Sequence, residues 1–187
     1  MLQQVIVEAY NPDWVDHFKA IKASIEPSLL GLAIAIEHVG STSVPGLAAK
    51  PIIDIDVVIA DSSGLDSVIE KLATLGYEHR GNLGIEDREA FKKQQAIYRH
   101  NLYVCPEHSI SLRNHLCLRD SLRKDAALKA EYTELKYRLA EKFPESIEDY
   151  IQGKTEFILR VLRTHGYDPD SLEAIRIANL AAPRRLK

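Results

Sequence analysis

The sequence predicts an α/β (α+β) fold: a mixed β-sheet core with flanking helices over residues 1–107, then a C-terminal helical part over 108–187. Three observations predict it. Short β-rich runs stand at residues 33–39, 52–59 and 97–105, with a helical run between the second and the third. Beyond Pro106, apolar residues recur only at helical spacing. No flexible linker separates the two parts, so they are expected to pack as one unit.

Taken in order, Val5–Val7 reads as a short strand or an extended lead-in. Asn11, Pro12 and Asp13 form a helix start: a capping residue, a proline in the first turn, and an acid facing the positive helix end. Trp14, Phe18, Ile21 and Ile25 follow at helical spacing, so this helix is expected to reach about Ser28. Ala33–Val39 is β-rich and stops at Gly40, and the loop from Gly40 to Pro51 holds Ser41, Thr42, Ser43 and Pro45. Ile52–Ile59 is the clearest strand. Gly64–Leu75 reads as a helix with Leu65, Val68, Ile69 and Leu72 inward, closed by Gly76. Tyr77–Arg80 starts a further strand, residues 81–96 stay ambiguous, and Ile97–Cys105 alternates as a strand. Ser109–Asp125, Ala126–Lys142 and Ser146–His165 are helical, a last helix runs from Pro169 to about Ala182, and the final Pro-Arg-Arg-Leu-Lys reads as a loose end.

Composition narrows the function classes. The chain has 187 residues, 45% hydrophobic and 27% charged, as in a soluble globular protein. No apolar run approaches the roughly 20 residues that span a bilayer, and the first residues do not read as an export signal. With two cysteines, Cys105 and Cys117, the expected location is the reducing cytoplasm. Residues 1–98 carry 8 Lys+Arg against 14 Asp+Glu, and residues 99–187 carry 16 against 13. An acidic half that holds a metal and a basic half that holds phosphates would give this split, as would ordinary scatter on solvated helices.

Asp54 and Asp56 are the sharpest chemical feature. A strand sends residues i and i+2 to the same face, so the two carboxylates project together while Ile53, Ile55 and Val57 fill the other side. Paired carboxylates repel, and a divalent cation with hard oxygen preference, Mg2+ (or Mn2+), is the natural compensation. A strand edge where both acids meet water or an arginine is the plainer alternative. The second feature is His38-Val-Gly-Ser-Thr-Ser43: Gly40 lets the backbone approach a ligand, and Ser41, Thr42 and Ser43 offer hydroxyl and amide groups to phosphate oxygens. It is not a Walker loop. Cys105, His108, His115 and Cys117 do not match zinc spacings.

Together the Gly–Ser turn and, twelve residues (Thr42–Ile53) later, the Asp–Ile–Asp strand resemble the signature of the DNA polymerase β-like nucleotidyltransferase superfamily. The run HVGSTSVPGLAAKPIIDIDVVI (38–59) is similar to the GrpB family within it. GNLGIEDREAF (81–91), RHNLYVC (99–105), LRNHLCLRDSLR (112–123) and KTEF (154–157) agree. The resemblance implies a nucleotidyltransferase-like mixed sheet with the loop at a nucleoside triphosphate and Asp54 and Asp56 on Mg2+. A hydroxyl or amine of an unknown small-molecule acceptor then attacks the α-phosphorus and pyrophosphate leaves.

One departure leaves catalysis open. Active members of the superfamily usually carry a third carboxylate on a later strand, and the matching strand here has none. His100 and Asn101 stand there instead, His100 as a candidate ligand or base and Asn101 to orient a phosphate or nucleobase. Lys50, Arg88, His115, Arg119, Arg123 and Lys154 are candidates for phosphate contacts, with His115, Arg119 and Arg123 on one helix face. The alternatives are a non-catalytic nucleotide or phosphometabolite binding module, and a module acting through a protein partner in coenzyme A or nucleotide metabolism. GrpB-like domains can occur joined to a dephospho-coenzyme A kinase domain. Nucleic acid is a disfavoured partner, because the net charge is −3 and no aromatic–basic platform stands out.

Overall fold

The computed structural model describes residues 4–181. Five strands, β1 (Ala35–Val39), β2 (Ile53–Ile59), β3 (Glu78–His79), β4 (Glu89–Lys92) and β5 (His100–Pro106), form one sheet in the order β1-β2-β5-β4-β3. β2 and β5 are parallel, and the other neighbours are antiparallel, so the sheet is mixed. Six α-helices accompany it: α1 (Asp13–Ile25), α2 (Leu65–Thr74), α3 (Ile110–Lys124), α4 (Ala126–Lys142), α5 (Ile147–Thr164) and α6 (Pro169–Ala181).

Each face of the sheet has its own cover. Ile53, Ile55, Val57 and Ile59 of β2, with Leu102 and Val104 of β5, pack on Trp14, Ile21 and Ile25 of α1 and on Val68 and Leu72 of α2. Burial of that many large apolar side chains is the main favourable term for the fold. The opposite face carries the polar positions of β2, and α3 lies over one end of it through Leu112 on Val58 and Cys105. The loop between β1 and β2 is anchored by Val44 and Leu47, which are buried against Leu122, Tyr132, Phe157 and Val161. The helical part therefore covers the loop and one end of the polar face of the sheet.

Local signals account for most boundaries. Asn11 Oδ1 accepts a hydrogen bond from the Asp13 amide at 2.9 Å, a turn that leads into α1, whose N-cap is Pro12. Ser109, Asp125 and Ser146 accept from the Leu112, Leu128 and Asp149 amides and start α3, α4 and α5. The first helix ends at Ile25 and continues as a 3-10 turn over Glu26–Leu29, because Pro27 lacks an amide proton. Val5–Val7 is not a strand, although Glu8 makes an isolated bridge to Ala49. The ambiguous 81–96 stretch contains β4, preceded by left-handed backbone at Leu83 and Asp87. The closing Pro-Arg-Arg-Leu-Lys falls outside the described residues. Among the described residues, no helix is long and apolar enough to cross a membrane.

Candidate functional site

The register sets the site. Val39 pairs with Asp54 and Glu37 with Asp56 across β1–β2, while Asp54 pairs with Asn101 and Asp56 with Tyr103 across β2–β5. Paired residues point to the same side, so Glu37, Asp54, Asp56, Asn101 and Tyr103 share one face. Asp54 is half-buried. Its Oδ1 accepts from Asn101 Nδ2 at 2.8 Å, and burial pushes its pKa up against the hydrogen bond from Asn101 and nearby His115, Lys50 and Lys154. Asp56 is fully buried. Its Oδ2 lies 2.7 Å from His115 Nδ1 of α3, and its Oδ1 has no hydrogen-bond partner. A desolvated carboxylate oxygen left unmatched costs stability, so this one is poised for an additional partner.

The loop meets the acids at Gly40. Gly40 has φ +68, and a Cβ there would lie 2.3 Å from Asp54 Oδ2. Only glycine permits that contact. The three hydroxyls that follow have different places. Thr42 is buried, with Oγ1 3.0 Å from His38 Nε2 and 3.5 Å from the Ile52 carbonyl. Ser43 Oγ donates to the Gly40 carbonyl at 2.6 Å. These two hold the turn together, and Ser41 is half-exposed. His38 stacks on Phe18, and burial, aided by Arg123 and Arg119, lowers its pKa to about 4, so it is neutral.

Two lysines stand beside Asp54. Lys50 Nζ lies 5.6 Å and Lys154 Nζ 4.5 Å from the Tyr150 ring centre. Burial brings the Lys154 pKa down to about 7, with Lys50 adding to the shift, and burial also lowers Lys50. Nearby Lys136 is buried, donates to the Ala48 carbonyl, and is lowered to about 6 by burial and then by Lys154. Such lysines bind fewer protons folded than unfolded. Their penalty is fully present below the folded values and fades as pH rises toward the model value of 10.5. The unfolding free energy is therefore expected to climb from about pH 6 to pH 9, and Lys136→Met should flatten the climb. Urea unfolding of both proteins at pH 6 and pH 9 measures the difference. A fall in stability over that range, or equal slopes, contradicts it.

The remaining candidates separate. Arg88 stacks over Tyr103, 4.3 Å from its ring centre, and its Nε has no acceptor. Arg119 is held by Glu37 at 2.7 Å and Asp120 at 2.8 Å, and also donates to the His38 carbonyl. His115 is brought to Asp56 as a hydrogen-bond partner. His100 requires correction. It pairs with Ile53, so it faces the apolar side, where Tyr77 Oη lies 2.8 Å from Nε2 and the Tyr98 carbonyl 2.7 Å from Nδ1. A catalytic base cannot act from the far side of the sheet, and the role expected of His100 becomes a structural one. Sequence reasoning missed Glu37, Lys136 and Tyr150. Glu37 carried a signal, since antiparallel pairing of the 33–39 and 52–59 runs brings an acid beside Asp56.

Comparison with known proteins identifies the family. A protein-family model described as "GrpB protein" matches residues 4–164. The chain is 35% identical over 156 residues to the UPF0157 protein YqkA of Bacillus subtilis, covering 83% of this chain and 46% of that protein. It is 34% identical over 156 residues to a UPF0157 protein of Pseudomonas aeruginosa, covering 81% and 64%. The chain thus spans about half to two-thirds of the length of these relatives. The crystal structure of the conserved protein GrpB from Enterococcus faecalis superposes with a TM-score of 0.76 at 31% identity, covering 90% of this chain and 98% of that one. This chain belongs to the GrpB family.

Proposed function

We propose that the polar face of the sheet binds a nucleoside triphosphate together with Mg2+ (or Mn2+), as a nucleotidyltransferase-like site. The observation that carries the reading is the pairing of Asp54 and Asp56 on one face, with Gly40 pressed against the first and an unmatched buried oxygen on the second. Hard oxygen donors of this kind suit a small divalent cation. Among the described residues no three His, Cys, Asp or Glu side chains are grouped as a ready ligand set, so water and phosphate oxygens would complete the coordination. When bound, the cation would offset phosphate charge and polarise a phosphoryl oxygen. Lys50 and protonated Lys154 supply positive charge beside Asp54, Ser41 supplies a hydroxyl, and Asn101 holds Asp54 in place.

The test is calorimetry with ATP, GTP, CTP and UTP, with and without Mg2+, on the wild type and on Asp54→Asn/Asp56→Asn. Metal-dependent binding of at least one nucleotide, lost in the double variant, is the expected result. Failure of the wild type to bind any of the four contradicts the reading.

Asn101, standing opposite Asp54 where a third carboxylate would lie, favours a second reading: binding without transfer, in which nucleotide or phosphometabolite occupancy is the output. Incubation with α-phosphate-labelled nucleotide and cell extract separates the two, because label in any acceptor excludes a pure binding module. Transfer to a small-molecule acceptor, a protein partner in coenzyme A or nucleotide metabolism, and a cytoplasmic setting belong to the proposal.

A further inference from the structure

Four carbonyl oxygens, one near the end of β1 and three in the β1–β2 loop, are captured by basic side chains of the helical part. Arg119 Nη1 donates to the His38 carbonyl at 3.2 Å. Arg123 donates twice to the Ser43 carbonyl, from Nη2 at 2.7 Å and Nε at 3.2 Å. Lys129 Nζ donates to the Pro45 carbonyl at 2.9 Å, and Lys136 Nζ to the Ala48 carbonyl. The donors run 119, 123, 129, 136 along α3 and α4, and the acceptors run 38, 43, 45, 48 along the loop. The two series advance in parallel.

A loop that receives an anion has a specific problem. Each peptide carries a negative end at its oxygen, and an oxygen turned toward a phosphate repels it. Capture of the oxygen by a side-chain N–H donor fixes the peptide orientation and offsets the negative end of its dipole, most strongly where the donor is charged. Gly40 lies inside this clasped stretch, pressed against Asp54, so the clasp also fixes the loop relative to the acids.

We propose that Arg119, Arg123, Lys129 and Lys136 are positioning residues that hold the carbonyls of the 38–48 loop on the helical side and so keep the loop shaped to receive a polyphosphate. The proposal rests on the phosphate reading of the site. It differs from a direct phosphate contact, because these side chains act through the loop backbone.

Arg123 and Lys129 are the residues to vary, since their side chains are not part of the apolar core and their loss should leave the fold intact. Arg123→Gln/Lys129→Met should bind MgATP and inorganic triphosphate about tenfold more weakly for each lost charge-assisted hydrogen bond. Hydrogen exchange of the residue 40–44 and Gly46 amides in the free protein should quicken, while exchange in β2 and β5 stays as in the wild type. Arg123→Lys/Lys129→Arg, which keeps both donors, should restore most of the affinity. A general structural defect would instead speed exchange across the sheet and resist that rescue. Unchanged loop exchange, or faster loop exchange with undiminished triphosphate binding, overturns the clasp alone. A wild type that binds neither MgATP nor triphosphate overturns the phosphate reading and the clasp with it.

Discussion

Gly40→Ala is expected to lower metal-dependent nucleotide affinity by about 100-fold, which corresponds to about 2.7 kcal/mol. Two effects add at this position. The backbone sits at φ +68, where an L side chain is strained by about 1–3 kcal/mol. The new methyl would also stand 2.3 Å from Asp54 Oδ2, so either the carboxylate or the loop must move. Movement of Asp54 breaks its hydrogen bond to Asn101 and takes a ligand oxygen from the proposed cation. Gly31→Ala is the control. It has a similar φ of +79 with nothing near the added carbon, so it should lose stability without losing affinity. Calorimetry with MgATP and urea unfolding of both variants give the comparison. Wild-type affinity in Gly40→Ala would mean that the close approach of loop and acid has no part in binding.

His115→Leu is expected to cost about 2–4 kcal/mol of folding stability. Asp56 is fully buried, and His115 is its one hydrogen-bond partner among the described residues. Removing the imidazole leaves a desolvated carboxylate with neither oxygen matched, which is more costly than the loss of the pair as a unit. Asp56→Asn/His115→Leu should therefore be more stable than the sum of the single variants, with a coupling of about 1–3 kcal/mol. Saturating Mg2+ and nucleotide should recover part of the loss in His115→Leu but none in the double variant, because ligand binding adds stability only where the ligand site survives. Denaturant unfolding of the four proteins, with and without MgATP, closes the cycle. Additive costs would show that Asp56 does not depend on His115.

Much of this arrangement is legible in the sequence because it follows from short-range periodicity. Asp54 and Asp56 share a face because a strand repeats every two residues, and the helix boundaries follow capping residues such as Ser109 and Asp125. What escaped depends on pairing between distant segments. Whether His100 or Asn101 joins the acids is decided by the β2–β5 register, and a shift of one residue would exchange them. Arg119 and Arg123 share a helix face visible in the sequence, yet their acceptors are loop carbonyls about 80 residues away. Backbone acceptors leave no residue-type signature. β4 is four residues long and follows left-handed turns at Leu83 and Asp87, too short for alternation to distinguish it from a loop.

The most direct test is a crystal of the full chain grown or soaked with a nucleoside triphosphate and Mn2+, with anomalous scattering recorded at the manganese edge. The expected result is an anomalous peak within about 2.2 Å of an Asp54 oxygen and of Asp56 Oδ1, with phosphate density running from that peak to Ser41 and toward Lys50 and Lys154. Nucleotide density with manganese held away from both aspartates, or a bound nucleotide on the apolar side of the sheet, would contradict the central claim that these paired acids and the glycine loop form one phosphate-binding site.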